Sequence, residues 1–234
     1  NVAVADAMES MMDALKNVKA ADFEKAARKV IKDVYLAHKA VVFNGNNYSD
    51  EWINVESKKR GLPEIKSTPE ALPYYTKPEN VELLSRYGVL TARECEARKD
   101  ILLEQYAKVI NIEAYTMYKM TAKMILPACV EFMNVLSESV AKKKDLNMSY
   151  DYEGSVLYKA SKLVDEAYAK NNKLEELRRT AAGMTDIEKQ TMYLHDVVLA
   201  EMDDLRNVID SLELVCSSDY WPLPSYGDML FYAD

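Results

Sequence analysis

Apolar residues recur every three or four positions through residues 91–144, and this period constrains the possible fold more than any other feature of the chain. Thr91 is a favourable helix N-cap, and its amide can donate a hydrogen bond to Glu94 three positions later. A helix over this stretch would be on the order of 75 Å long, which exceeds the width of a compact domain. The period therefore predicts the central helix of an elongated bundle. The apolar stripe comprises Leu103, Tyr106, Ile110, Ala114, Met117, Thr121, Met124, Ala128, Phe132 and Val135.

Pro127 lies inside this predicted helix. Proline has no backbone N–H, and its ring crowds the carbonyl group four residues earlier, so it disturbs the hydrogen-bond pattern of a helix interior. The apolar period nevertheless resumes in phase at Ala128. The sequence therefore predicts a kink at this point and not the end of the helix.

Two further long helices are predicted at residues 149–180 and 186–217, where apolar residues show the same period. Thr185 and Glu188 form a capping-box pattern at the start of the second of them. Because short turns join the three long helices, we expect them to run up, down and up as an antiparallel bundle. The predicted fold class is all-α.

The remainder of the chain is divided by its composition. Residues 1–42 predict two helices, at 1–18 and 20–42, and neither has enough apolar surface to be stable alone. Residues 43–90 contain several prolines but too many apolar residues for a linker, so we expect an ordered, irregular connector with short helices that wraps over a neighbouring surface. Residues 91–234 then hold the long-helix bundle and an aromatic C-terminal tail. Asn1 is followed at once by an apolar helical pattern, as if the chain were part of a longer polypeptide.

Charge and cysteine content exclude few function classes, but both are typical of a soluble protein of the cytoplasm. The net charge of −8, from 38 acidic and 30 basic residues, argues against binding to nucleic acid or to an anionic membrane. The longest uncharged apolar run, residues 124–130, is far shorter than the roughly 20 residues of a membrane span. Three widely separated cysteines without a CxxC spacing are typical of reduced thiols, so we expect a cytoplasmic protein.

Motifs for catalysis or metal binding do not emerge. The two histidines, His38 and His195, lack the Glu-x-x-His spacing of a di-metal bundle, and no phosphate-binding or nucleophile motif occurs. We therefore predict no catalytic, cofactor-binding or metal-binding residue. The acidic pair Glu175 and Glu176 falls on a polar face and is expected to be solvated. Four methionines could line an adaptable partner groove, although core packing is their more frequent use; they are Met117, Met120, Met124 and Met133.

Two segments are candidate contact surfaces. The first is the loop at residues 44–52, and the second is the tail at residues 220–231, which presents a large apolar area with Asp228 as its one charge. Ser225 can cap a last helical turn in the tail. The alternative is that the tail folds back onto its own bundle. The predicted interface residues are Asn44, Tyr48, Trp52, Trp221, Tyr226 and Phe231.

Several stretches resemble the C-terminal region of type III glutamine synthetases, in the order in which that family has them. They are FNGNNYSDEW at 43–52, RGLPEIKSTPEALP at 60–73, YGVLT at 87–91, ILLEQYAKVINIEA at 101–114, MILPA at 124–128 and YWPLPSYGDMLF at 220–231. The opening NVAVADAM resembles the last stretch of the family's catalytic domain. By this resemblance, residues 1–42 are the end of that domain or its exit helices.

The resemblance implies a parent enzyme that ligates ammonia to glutamate through a γ-glutamyl phosphate, using ATP and Mg²⁺ or Mn²⁺, within a ring-shaped homo-oligomer. The family's catalytic residues lie upstream, so none is carried over to this chain, and the chain alone is expected to be inactive. It would be a non-catalytic extension that serves assembly, stability or regulation, with the upstream catalytic domain as its partner. The alternative is a stand-alone helical interaction module.

Overall fold

The computed structural model describes residues 1–231, and every regular element in that range is a helix. The all-α prediction is therefore confirmed. The chain divides into two compact units, Asn1–Leu102 and Leu103–Asp234. The predicted boundaries after residues 42 and 90 stay a prediction.

The first unit contains several short helices. The two N-terminal helices are Val2–Leu15 and Phe23–Ala37, both shorter than the sequence pattern suggested. A π-helical turn and three further helices follow before the first long helix; their bounds are Trp52–Glu56, Ser57–Lys59, Thr68–Ala71 and Pro78–Arg86. Short 3-10 turns occupy Ala20–Asp22, Lys39–Val41 and Leu72–Thr76.

The first long helix runs from Ala92 to Asp145. Its start is capped as predicted, because the Thr91 amide donates to the Glu94 carboxylate at 2.8 Å and the Glu94 amide donates to the Thr91 hydroxyl at 3.3 Å. Pro127 does not end it. The helix instead widens to a π-helical turn at Thr121–Ile125, which ends two residues before the proline. A wider turn accommodates a residue that cannot donate a backbone hydrogen bond.

The second long helix, Asp151–Ala182, packs against the preceding one. Near its start Glu153 pairs with Lys143, and near its end Arg178 donates to Asn111 at 2.9 Å. Residues later in the second long helix contact residues earlier in the first long helix, so these two helices run antiparallel.

The third long helix comprises Ile187–Tyr193, a π-helical turn at Leu194–Val198, and Leu199–Glu213. Its N-cap is Asp186, whose side chain accepts from the amides of Glu188 and Lys189 at 3.1 and 3.2 Å. The predicted cap at Thr185 is therefore one residue too early, since the aspartate carboxylate reaches two free amides at once.

The core of the second unit lies where these helices meet. Ala114 and Ala167 are fully buried, and their small side chains permit close helix approach. The buried cluster comprises Ala107, Ile110, Ala114, Ile125, Cys129, Ala167, Leu174, Ala181, Leu194, Val198, Leu205, Val208, Ile209 and Leu212. Trp221 and Leu223 from the tail pack against it.

The first long helix also carries apolar residues that remain exposed. It contains an 18-residue window with a mean hydropathy of 1.3, of which 17% is buried. By length and composition alone this window meets the criterion for a membrane span, which core helices of soluble proteins also meet. The exposed fraction means that part of this apolar surface is not covered by residues 1–231.

Candidate functional site

The first candidate surface centres on Arg60, which lies against two aromatic rings of the predicted loop. The rings of Phe43 and Trp52 are in contact, with centroids 4.8 Å apart. The Arg60 guanidinium carbon lies 5.5 Å from the Phe43 centroid and 5.9 Å from the Trp52 centroid. These distances are within the range of cation–π attraction. We call Phe43, Trp52, Glu56 and Arg60 the Arg60 cluster.

Hydrogen bonds fix Arg60 in this position. It donates to the carbonyl oxygens of Ala40 and Val42 at 3.1 and 2.7 Å, and to the Glu56 carboxylate at 3.3 Å. Hydrogen bonds from Lys59 and then Arg60 hold the pKa of Glu56 below its usual value, against the opposing effect of desolvation. One guanidinium therefore joins the segment before the loop to the helix after it.

The loop between these segments is ordered by its own polar side chains. Asn46 accepts from the Tyr48 amide at 2.9 Å, and the Ser49 hydroxyl donates to the Asn46 carbonyl oxygen at 2.7 Å. Ser49 then caps the following helix by accepting from the Trp52 amide at 3.3 Å. A β-carbon at Gly45 would lie 2.5 Å from the Phe43 ring, so a larger residue there would require the ring to move. Tyr48, by contrast, is 91% exposed.

A second arrangement in the first unit was missed by sequence reasoning. Arg86 pairs with Asp6, and the Tyr87 hydroxyl donates to Glu9 and, at 3.2 Å, to Asp6. The bond to the Glu9 carboxylate is the main reason why the pKa of Tyr87 is raised. These contacts attach Val2–Leu15 to the end of Pro78–Arg86. The paired residues are 78 to 81 positions apart in sequence, and a local sequence pattern cannot predict pairing over such a distance.

An ion cluster around the buried Glu175 of the second unit corrects another expectation. Glu175 was predicted to be solvated, but it is 8% exposed and accepts hydrogen bonds from Arg178 and Arg179, each at 2.6 Å. The hydrogen bond from Arg178 is the largest cause of its lowered pKa. The Arg178 guanidinium also lies 4.9 Å from the Tyr115 ring centroid. Glu175 faces inward because these partners compensate its charge.

The tail is divided into two parts. Tyr220 contacts the Phe132 ring at a centroid distance of 5.7 Å, and Trp221 is partly buried against the core. Beyond Pro224, Ser225 caps the helix Tyr226–Leu230 in a capping box with Asp228, as predicted for Ser225. Exposed fractions there are 80% for Tyr226, 73% for Leu230 and 84% for Phe231. The first part packs on its own bundle, while the aromatic faces of the second part remain open.

The six predicted interface residues therefore have two environments. Asn44, Tyr48, Tyr226 and Phe231 are exposed, whereas Trp52 and Trp221 are partly buried within their own units. Whether any of them contacts another polypeptide stays a prediction. Within residues 1–231, no group of three or more histidine, cysteine or acidic side chains is placed to hold a metal ion.

Fold and surfaces together define an all-α chain with two exposed aromatic segments. The family model for the glutamine synthetase C-terminal domain matches residues 26–144. The chain belongs to this family.

Three curated relatives extend the match beyond the family model. A glutamine synthetase from Butyrivibrio fibrisolvens is 38% identical over 213 residues, which cover 90% of this chain and 30% of that protein. A type-3 glutamine synthetase from Dictyostelium discoideum is 31% identical over 242 residues, covering 99% and 32%. A glutamine synthetase from Bacteroides fragilis is 26% identical over 214 residues, covering 89% and 29%. The matched region thus spans about a third of the length of these relatives, and the resemblance to the type III family is confirmed.

Proposed function

We propose that this chain is the C-terminal, non-catalytic extension of a type III glutamine synthetase, the ligase of glutamine biosynthesis in nitrogen metabolism. Its parent enzyme would ligate ammonia to glutamate with ATP in the cytoplasm. The observation that carries this proposal is the family match over residues 26–144 together with relatives about three times as long as the region matched.

Within the parent enzyme, we assign the extension a role in assembly, stability or regulation. Exposed aromatic side chains at Tyr48, Tyr226 and Phe231 support contact with another polypeptide surface. The exposed apolar window of the first long helix supports the same role. The partners would be the upstream catalytic domain of the same polypeptide and neighbouring copies in a homo-oligomer. ATP and the metal ions would bind the catalytic domain.

A stand-alone helical interaction module is the alternative, and the same exposed aromatic segments are compatible with it. The two functions differ in what the gene encodes before Asn1. A catalytic domain encoded in the same reading frame would support the extension, whereas its absence would support the stand-alone interaction module.

The direct test measures glutamine formation from glutamate, ammonia and ATP by two purified proteins. The 234-residue chain alone is expected to give none, because phosphoryl transfer requires positioned metal ions and phosphate-binding groups. The polypeptide that includes the upstream region is expected to be active. Turnover by the isolated chain would contradict the non-catalytic role.

Assembly is tested in that longer polypeptide by ending it before Tyr220. The shortened protein is expected to lose oligomeric mass, thermal stability or both, as measured by light scattering and thermal unfolding. A shortened protein that keeps both would show that the tail has neither role.

A further inference from the structure

A cavity in the second unit lies outside the surfaces on which the proposed function rests. Its volume is about 580 Å³, and it lies between residues 112–125 of the first long helix, residues 202–213 of the third long helix, and the start of the tail. This volume is within the range of about 300–1,000 Å³ that is usual for small-molecule sites.

The floor of the cavity is apolar. Ile125 and Ile209 lie there and are almost fully buried, and Trp221 and Leu223 close one side. Met117 and Met120 also line it, so two of the four methionines considered for an adaptable groove do border one. Methionine side chains are flexible and polarisable and adjust to ligands of irregular shape.

The π-helical turn Thr121–Ile125 forms part of the same wall, since both of its terminal residues line the cavity. Such turns are frequent at functional sites because they displace side chains from their regular helical positions. The turn therefore contributes to the shape of the cavity.

The mouth of the cavity is negatively charged. Four lining residues are carboxylates, namely Glu113, Asp203, Asp210 and Glu213. One cation, Arg206, lies among these described lining residues, and its Nε donates to Asp210 at 2.6 Å. The other three carboxylates form no hydrogen bond or ion pair within residues 1–231. An apolar cavity with this rim attracts cations and repels anions.

We propose that this cavity binds a small organic cation, whose apolar body fills the floor and whose ammonium group lies among the rim carboxylates. The indole of Trp221 adds a surface that favours cations over anions. An anion with the same apolar body would meet a rim of four carboxylates and one guanidinium, whose net charge is negative. A neutral ligand would gain apolar burial but not the attraction. This proposal does not depend on the parent enzyme, since it concerns the 234-residue chain alone.

The test uses three probes with the same eight-carbon chain: octylammonium, octanol and octanoate. The 234-residue chain is labelled with ¹³C at its methionine methyl groups, and each probe is titrated while the methyl resonances are followed. Octylammonium is expected to shift Met117, Met120 and Met202 saturably and to bind about tenfold or more tightly than octanoate. Met8, Met12 and Met229 are exposed outside the cavity and should not move.

A charge-matched pair of variants separates the rim from the overall charge of the chain. Asp203→Asn with Glu213→Gln is expected to reduce octylammonium affinity several-fold, towards that of octanol. Glu131→Gln with Glu166→Gln removes the same charge from exposed positions outside the cavity and should leave the affinity unchanged. Both pairs keep side-chain size and are exposed, so folding is retained.

Three results would overturn the proposal. One is equal affinity for the three probes, which would mean a purely apolar groove. Another is a shift shared equally by Met8, Met12 and Met229, which would mean surface adsorption. The third is the absence of any shift at Met117, Met120 and Met202 up to the solubility of octylammonium.

Discussion

The Arg60 guanidinium donates a hydrogen bond to the Val42 carbonyl oxygen 2.7 Å away, and it thereby connects the two sides of the asparagine-rich loop. The same side chain reaches Ala40 and Glu56 and covers two aromatic rings. The order of this loop therefore depends on Arg60, which lies eighteen positions after the Val42 carbonyl group that it binds.

Replacing Arg60 by lysine is expected to destabilise the first unit by about 1–2 kcal/mol. A single ammonium cannot make the divergent hydrogen bonds of a guanidinium, and it stacks less well on aromatic rings. Urea unfolding followed by Trp52 fluorescence measures the change. Arg28→Lys is the control, because Arg28 forms an exposed pair with Glu24 that contributes little. Equal effects at the two positions would contradict the assigned role.

Trp221→Phe is expected to cost less than 1 kcal/mol, whereas Trp221→Ala should cost about 2–3 kcal/mol. The indole Nε1 is buried without a hydrogen-bond partner within residues 1–231, so phenylalanine loses no bond and retains most of the apolar contact. The measurement is the free energy of unfolding of the second unit. If both variants lose the same stability, the indole N–H has a partner.

Tyr226→Ala combined with Phe231→Ala should leave the stability of the 234-residue chain unchanged. Both side chains are more than 75% exposed and contribute little to its core. In the longer polypeptide, the same pair is expected to reduce oligomeric mass or lower the melting temperature by several degrees. Tyr152→Ala removes an aromatic side chain that is 75% exposed on the second long helix and serves as the control. If Tyr152→Ala reduced oligomeric mass to the same extent, the prediction of a specific role for the tail in assembly would be wrong.

Stability should fall at alkaline pH because of Cys129. Burial raises the pKa of its thiol to about 12, with Cys216 adding a smaller effect. An unfolded thiol loses its proton near pH 9, so the unfolded state binds fewer protons than the folded state between about pH 9 and 12. Over that window the ionisation of Cys129 lowers the free energy of unfolding by about 1.4 kcal/mol per pH unit.

Replacing the thiol tests this assignment. Cys129→Ala should reduce the slope of unfolding free energy against pH in that window, relative to the unsubstituted chain. An unchanged slope in Cys129→Ala would exclude Cys129 as the source.

At acid pH, Glu175 is expected to limit stability. Hydrogen bonds from Arg178 and Arg179 lower its pKa in the folded state, so its contribution is present above the unfolded value near 4.5 and is lost as pH falls through the folded value. Glu175→Ala should cost about 3 kcal/mol at pH 7, because it leaves the largely buried Arg178 unpaired. Glu176→Ala, at the neighbouring exposed position, should cost less than 0.5 kcal/mol. A small effect at Glu175 would mean that Arg178 finds other partners.

Sequence alone determined the helical class, the three long helices to within a few residues at most ends, and the caps at Thr91 and Ser225. These features depend on residues within about four positions of one another, and such short-range patterns are directly visible. It also predicted that the helix continues through Pro127, because the apolar period is uninterrupted. The π-helical turn before that proline was not predicted, since the period does not show how the hydrogen bonds rearrange.

Only the tertiary structure decided which surfaces face one another. It placed Glu175 inside beside Arg178, paired Tyr87 with Glu9, packed Trp221 on the bundle and left Phe231 exposed. A helical period defines the face on which a residue lies, but not the partner that covers that face. The partner is selected by side-chain packing and charge compensation between segments distant in sequence, and these exist only once the chain has folded.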